Sequence, residues 1–138
     1  MDFLQRTELL IGKAKLTKLR DAKVAVCGLG GVGSAACEAL ARAGVGKLRL
    51  IDFDKVDITN LNRQLLATRE TIGLAKIQAM AERIALINPE CELELCQDLI
   101  GPDNVSDLLN GLDFVVDAID NVTGKALAIN AVTDSPYT

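Results

Sequence analysis

The sequence of 138 residues contains no histidine. Histidine is the commonest general base, so a Ser-His-Asp or Cys-His catalytic site cannot form within this chain. The sequence also has no run of about 18 apolar residues, and residues 1–6 lack the basic and then apolar pattern of a signal peptide. We therefore expect a cytoplasmic protein with no membrane segment, in which any catalysis relies on positioning and charge.

Cysteine and charge limit the possible classes further. The four cysteines form no CxxC pair, and we expect them to be small core residues; they are Cys27, Cys37, Cys91 and Cys96. The net charge is -4, yet residues 1–23 carry six basic and three acidic side chains, a net charge of +3. This basic stretch is either a solvated helix face or a surface that contacts RNA phosphates.

The apolar pattern alternates between strand and helix over one globular domain. It predicts strands at residues 23–27, 47–52, 92–95 and 113–119, and helices at residues 32–43, 72–87, 102–109 and 122–132. Such alternation predicts an α/β fold with a doubly wound parallel sheet, which is a Rossmann-like fold. We expect a helical segment at residues 1–22 and the sheet domain at residues 23–138. The chain stops after the fourth strand and its helix, so we expect the front part of a larger domain.

A glycine-rich turn, Gly28-Leu29-Gly30-Gly31-Val32-Gly33, connects the first strand to the helix that follows it. Gly28 permits a tight turn, Gly30 allows a phosphate to approach the backbone, and Gly33 allows close contact between helix and strand. The helix N-terminus adds unpaired N–H groups and partial positive charge. The turn predicts phosphate or adenosine binding, without distinguishing NAD from ATP.

Polar residues after the second strand favour ATP. Asp52 lies 24 positions after Gly28 at a strand end, where a carboxylate can accept ribose hydroxyls. A polar, irregular connection over residues 53–70 contains Arg63, and Lys76 follows it. These two cations would have little to do beside a dinucleotide but could bind a triphosphate.

Asp120 stands at the carboxyl end of the fourth predicted strand. In a doubly wound order that strand lies beside the first, so Asp120 would face the glycine turn. There it could hold Mg²⁺ between phosphates. Alternatively it caps the next helix, a position for which Asn121 is an equal candidate.

Five ordered motifs resemble the ubiquitin-activating-like adenylyltransferase family (the ThiF, MoeB and HesA group), which includes the enzymes that activate molybdopterin-synthase and thiamine sulfur carriers. They are Gly-x-Gly-Gly-x-Gly, Asp52-Phe53-Asp54, Thr59-Asn60-Leu61-Asn62-Arg63-Gln64, Gly73-Leu74-Ala75-Lys76 and Asp117-Ala118-Ile119-Asp120-Asn121. The resemblance covers about residues 6–130. Within the family, residues 6–12, 68–69 and 81–89 are most similar to the tRNA threonylcarbamoyladenosine dehydratases.

The resemblance implies a homodimer that uses Mg-ATP to adenylate a carboxylate, which in the dehydratase branch belongs to the threonylcarbamoyl group of a tRNA adenosine. It implies that Asp52 binds ribose, that Asp120 organises Mg²⁺, and that Arg6 extends into the partner's ATP site. The expected catalytic residues are Arg63, Lys76, Asp120 and Arg6. The expected nucleotide site also contains Gly28, Gly30, Gly31, Gly33, Asp54, Asn60, Asn62, Gln64 and Asn121, with Asn60 and Asn62 joining Arg63 and Lys76 at the phosphates.

Three alternatives stay open. The nearest is an enzyme that activates the C-terminus of a sulfur-carrier or ubiquitin-like protein. The second is an NAD oxidoreductase, which would leave Arg63, Lys76 and Asp120 without a role, and the third is a noncatalytic fragment. Because family members carry further strands beyond the Asp120 region, we expect a chain ending at Thr138 to bind ATP poorly or to need a missing or exchanged segment.

Overall fold

A computed structural model describes residues 2–133. Its helices are α1 (Gln5–Ile11), α2 (Lys13–Asp21), α3 (Gly31–Ala43), α4 (Lys76–Ile87), α5 (Val105–Leu108) and α6 (Val122–Thr133), and its strands are β1 (Lys23–Cys27), β2 (Lys47–Ile51), β3 (Glu92–Cys96) and β4 (Phe114–Asp117). A short 3-10 helix, Ile58–Asn60, lies in the long connection between β2 and α4. Helices α1 and α2 lie within residues 1–22, and the division of the chain at that point stays a prediction.

The four strands form one parallel sheet in the order β3-β2-β1-β4. β1 pairs with β2 up to Cys27 opposite Ile51, and with β4 up to Cys27 opposite Asp117. Parallel strands need crossover connections, and α3 and α4 supply them between β1, β2 and β3. The strand order changes direction beside β1, which opens a crevice at the carboxyl ends of β1 and β4. The predicted doubly wound sheet is confirmed.

Both faces of the central strand β1 are covered, as in a parallel sheet. Side chains alternate between the faces of β1, so Val24 and Val26 pack in the core that contains α3 and α4. Ala25 and Cys27 point the other way and pack with Ala128 of α6. The carboxyl end of β1 is therefore fixed from both sides, and the turn that follows it has a rigid base.

Helix α4 begins later than the sequence pattern predicts. The prediction places its start at residue 72, but the helix begins at Lys76. Gly73 has a φ of +88°, outside the α-helical region, and its N–H donates to the carbonyl of Val56 at 2.8 Å. Lys55 and Ala75 form an antiparallel bridge beside it. The backbone of residues 73–75 thus pairs with residues 55–56, and these residues cannot form the first turn of α4.

The fourth strand and its neighbouring helix are also shorter than predicted. β4 ends at Asp117 instead of residue 119, and α5 spans residues 105–108 instead of 102–109. The Asp117 carboxylate accepts from the N–H of Ile119 and forms an ion pair with Lys125 of α6 at 3.1 Å. This ion pair connects the end of β4 to α6 where strand pairing stops.

The cysteines pack in the core as expected. Cys27 and Cys37 are fully buried, Cys91 is buried, and Cys96 is half-buried; all four are free thiols. Burial raises the pKa of Cys27 and of Cys37 to about 12, so both thiols stay protonated at neutral pH. Within residues 2–133, no helix is long and apolar enough to cross a membrane.

Candidate functional site

A cavity of about 480 Å³ opens beside the glycine turn, where β1, β2 and β4 end. Most of the predicted site residues line it: Gly28, Gly30, Gly31, Asp52, Asp54, Asn60, Arg63, Gln64, Lys76, Asp120 and Asn121. They come from separate segments of the chain. The sheet brings them together because the carboxyl ends of parallel strands meet at one edge.

The glycine turn holds two backbone segments in close contact. Gly28 has a φ of +90°, and a β-carbon there would lie 2.6 Å from the carbonyl oxygen of Ala118. A β-carbon at Gly33 would lie 1.7 Å from the carbonyl oxygen of Gly28. Both positions require glycine. Gly33 does not line the cavity. Gly30 lines it, and a β-carbon at Gly30 would have only Gln64 within 4 Å, at 3.8 Å.

Asp52 follows β2 and is fixed by two backbone hydrogen bonds. Its Oδ2 accepts from the N–H of Leu29 at 2.8 Å, and its Oδ1 accepts from the N–H of Asp54 at 2.8 Å. The carboxylate thereby ties the end of β2 to the glycine turn. Each oxygen keeps a second acceptor position, so Asp52 can still accept hydrogen bonds from hydroxyls in the cavity.

The connection after β2 is organised by a capping box at the 3-10 helix. The Asp57 carboxylate accepts from the N–H of Thr59, and the Asn60 Oδ1 accepts from the N–H of Asp57, both at 2.8 Å. The hydrogen bonds from Thr59 lower the pKa of Asp57. Asn60 is buried and lines the cavity. Its oxygen has a structural task, so its amide nitrogen is the group it can offer to a ligand.

Arg63 and Gln64 enter the cavity at the end of this capped segment. Nη1 of Arg63 donates to Oδ1 of Asn62 at 2.8 Å and to the carbonyl of Thr59 at 3.1 Å. Asn62 does not line the cavity, but it orients the guanidinium that does. Gln64 is 5% exposed, and its Oε1 has no hydrogen-bond partner within residues 2–133. Because buried polar atoms are normally paired, the Gln64 amide indicates a position for a polar ligand.

Lys76 is the first residue of α4 and is 7% exposed. In the described part of the chain, no carboxylate lies within 4.0 Å of its ammonium group. The partial positive charge of a helix N-terminus disfavours a cation at this position. An anion in the cavity would relieve that effect, so Lys76 indicates an anionic ligand.

Asp120 is exposed at the cavity, and Asn121 next to it takes the capping role. Oδ1 of Asn121 accepts from the N–H of Gly124 at 2.7 Å, in the first turn of α6. The Asp120 carboxylate therefore stays available. Mg²⁺ is usually held by one or two carboxylates together with substrate phosphates, and Asp120 fits that pattern. Across residues 2–133, no group of three or more His, Cys, Asp or Glu could hold a metal ion by itself.

Arg6 lies away from the other predicted site residues. It is exposed on α1 and does not line the cavity of its own chain. The role expected for it in a partner's site stays a prediction.

Several cavity residues were missed by the sequence reasoning. Phe53 is 52% exposed and offers an aromatic surface beside Asp52. The sequence could have indicated Phe53, because it lies between two predicted site residues. Residues 98–100 also line the cavity. They follow β3, and only the knowledge that β3 ends at the same sheet edge could have indicated them.

The chain matches the ThiF family over residues 4–134. It is 55% identical over 115 residues to the tRNA threonylcarbamoyladenosine dehydratase of Haemophilus influenzae, covering 83% of this chain and 44% of the relative. It is 42% identical over 105 residues to the molybdopterin-synthase adenylyltransferase of Salmonella typhimurium, covering 76% of this chain and 42% of the relative.

A solved structure of a relative has a similar fold. The E. coli tRNA N6-threonylcarbamoyladenosine dehydratase in complex with ATP superposes with a TM-score of 0.88 at 50% identity, covering 90% of this chain and 51% of that chain. The chain thus spans about half the length of the relatives it matches.

Proposed function

The chain belongs to the ThiF family, and from that premise we propose that its cavity binds ATP and supports adenylation of a carboxylate. The observation that carries the proposal is Lys76, a residue that is only 7% exposed and whose ammonium has no carboxylate within 4.0 Å in the described part of the chain. It lines the same cavity as Asp52, Arg63 and Asp120. Cations for phosphates and carboxylates for ribose and Mg²⁺ are the groups that ATP needs.

Each group has a task in the proposed complex. Asp52 accepts the ribose hydroxyls, and the N–H groups at the N-terminus of α3 face the phosphates. Arg63 and Lys76 neutralise the charge that grows on pyrophosphate as it leaves. Asp120 holds Mg²⁺, which when bound supplies further neutralisation of the phosphate oxygens.

The proposed reaction needs no histidine. A carboxylate is ionised at neutral pH, so its oxygen can attack the α-phosphorus of ATP directly. A new P–O bond forms, the bond to the bridging oxygen of the β-phosphate breaks, and pyrophosphate leaves with that electron pair. The residues of this chain therefore contribute alignment and neutralised charge, and no general base.

We assign the carboxylate to the threonylcarbamoyl group of a tRNA adenosine. Three relatives that are 50–55% identical to the chain carry the name tRNA threonylcarbamoyladenosine dehydratase. In such a reaction, an atom of the carbamoyl group forms a bond to the activated acyl carbon, the bond from that carbon to AMP breaks, and AMP and one proton leave as the ring closes. The basic residues of segment 1–23 provide charge for tRNA phosphates, and the proposal places the protein in the cytoplasm with its substrate. The similarity to a molybdopterin-synthase adenylyltransferase favours a sulfur-carrier C-terminus as the second candidate.

Helix α1 supports the homodimer in this proposal. It buries none of its residues, and it exposes Leu9 and Leu10 by 84% and 86%. Two adjacent leucines on a helix that buries nothing suit an interface with a second copy. Arg6 lies on the same helix, so docking of α1 on the second copy would carry its guanidinium to that copy.

Exchange of labelled pyrophosphate into ATP tests the function. We expect exchange to require Mg²⁺ and tRNA that carries threonylcarbamoyladenosine, and to fall about 100-fold in Arg63→Ala. The matched control is Arg42→Ala, which changes an arginine of α3 outside the cavity. Exchange that depends on a small protein ending in Gly-Gly would support the sulfur-carrier candidate instead. Nicotinamide binding without Mg²⁺ would contradict both.

A further inference from the structure

Ser34 connects the glycine turn to the loop that carries the predicted phosphate-binding side chains. Its side chain is fully buried, and its Oγ donates to the carbonyl of Gly30 at 2.6 Å. The same Oγ accepts from the N–H of Leu65 at 3.3 Å. We call these two hydrogen bonds the serine bridge. Ser34 and Leu65 are 31 positions apart, so the bridge joins two distant segments.

The serine bridge lies where the turn and the loop already touch. A β-carbon at Gly31 would lie 3.6 Å from Cγ of Arg63, and one at Gly30 would lie 3.8 Å from Nε2 of Gln64. Arg63 and Gln64 directly precede Leu65, and their own N–H groups donate to the carbonyl of Asn60 within the loop. The serine bridge is the hydrogen-bonded link between this loop segment and the glycine turn.

We propose that Ser34 is a positioning residue for nucleotide binding, whose hydroxyl holds the glycine turn and the pair Arg63 and Gln64 at one spacing. The proposal rests on the nucleotide site proposed above. A serine that bonded only to the carbonyl four residues before it would stay within α3 and would position nothing else. The hydrogen bond from the Leu65 N–H gives the hydroxyl its second partner and connects the glycine turn to the loop that carries Arg63 and Gln64.

Hydrogen exchange tests the serine bridge without any nucleotide. In Ser34→Ala the Leu65 amide loses its acceptor, so we expect its exchange to rise about tenfold or more, with smaller rises at Arg63 and Gln64. Ser34→Thr keeps the hydroxyl and should restore most of the protection.

Thr71→Ala is the matched control for these variants. The Thr71 hydroxyl also bonds to the backbone, accepting from the N–H of Thr68 at 2.8 Å and donating to the carbonyl of Leu66 at 2.8 Å, with the carbonyl of Thr68 at 3.2 Å as a second acceptor. It does not line the cavity. Thr71→Ala should raise exchange at Thr68 and leave Leu65 protected.

ATP affinity, measured by calorimetry, separates positioning from stability alone. We expect Ser34→Ala to weaken ATP binding about tenfold, and Thr71→Ala to leave it within about twofold. In a background that carries both Arg63→Ala and Gln64→Ala, Ser34→Ala should cost no more than about twofold, because the two side chains it positions are already absent. Equal losses in both backgrounds would overturn the proposal.

The outcomes distinguish this inference from the proposed function. Absence of ATP affinity both in the wild-type chain and in a form extended beyond Thr138 would refute the proposed function. Wild-type affinity that survives in Ser34→Ala, or unchanged Leu65 exchange in that variant, would refute the positioning role alone. If Ser34→Ala does not fold, hydrogen exchange of the wild-type chain tests the proposal instead. ATP must then raise the exchange protection of the Ser34 and Leu65 amides together. An effect on one amide without the other contradicts the proposal.

Discussion

Replacing Lys76 by methionine should stabilise the chain without nucleotide and weaken ATP binding at the same time. The two side chains are similar in length, so the change removes a charge while keeping the packing. Lys76 is 7% exposed and begins α4, where the helix dipole disfavours a cation by about 0.3–1 kcal/mol. We expect Lys76→Met to raise the free energy of unfolding by about 0.5–1 kcal/mol.

The loss of affinity follows from the bond that the ammonium would make. A hydrogen bond to a charged group contributes about 1.5–3 kcal/mol, which corresponds to about 10- to 150-fold weaker binding in Lys76→Met. Urea unfolding measures the first effect, and calorimetric titration with ATP measures the second. The control is Lys47→Met, because Lys47 forms a surface ion pair with Glu92 at 3.4 Å outside the cavity. It should change stability by no more than about 1 kcal/mol and leave ATP binding unchanged.

Lys76→Met should raise the free energy of unfolding and lower the affinity for ATP, and this combination distinguishes a phosphate ligand from a structural lysine. A structural lysine would lower stability when replaced and leave nucleotide binding alone. If Lys76→Met destabilises the chain and keeps the wild-type affinity for ATP, the interpretation of Lys76 as a phosphate ligand is wrong. The thermal midpoint gives a second check, because a gain of about 1 kcal/mol should raise it by about 2–5 °C.

Three further variants or titrations test other parts of the structure. Gly33→Ala should cost about 3 kcal/mol of unfolding free energy in urea titration, since its β-carbon would lie 1.7 Å from a carbonyl oxygen. The control is Gly101→Ala, whose β-carbon meets nothing within 4 Å and should cost less; equal costs would contradict this steric argument. The ion pair with Arg83 lowers the pKa of Glu38, so its contribution is present above the ordinary pKa and is lost as pH falls through the lowered one. Glu38→Gln should therefore cost about 1–3 kcal/mol at pH 7 and progressively less as pH falls below the ordinary pKa of glutamate, and a cost independent of pH would count against the ion pair. Burial raises the pKa of the Cys37 thiol to about 12, so iodoacetamide at pH 8 should label it only after unfolding.

The residues that follow strands were the predictable part of the site. Asp52 and Asp120 come after β2 and β4, and the ends of parallel strands meet at one edge of the sheet. The apolar pattern located both strand ends within two residues, so both carboxylates could be placed in one crevice. Gly28 and Gly33 were predictable for another reason, because they meet local steric demands that only glycine satisfies.

The loop between β2 and α4 was predictable only in part. Its length and polarity indicated a functional connection, but the late start of α4 depends on the bridge between Lys55 and Ala75. Helical periodicity contains no information about such distant pairing. The capping role of Asn60 and the link from Ser34 to Leu65 depend on the same path of the loop. The sequence could identify these residue types and could not say which partners they would meet.

The unpaired groups in the cavity give the strongest physical argument for a ligand. Elsewhere the chain pairs its buried or half-buried charges, as Glu38 does with two arginines and Asp117 with Lys125. Lys76 could be neutralised in the same way, because Asp54 and Asp120 line the same cavity. Within residues 2–133, both carboxylates stay more than 4.0 Å from its ammonium. Because Lys76 is almost buried while Asp54 and Asp120 are exposed at the same cavity, the site suits a ligand whose phosphates would contact Lys76 and would carry a cation that Asp120 binds.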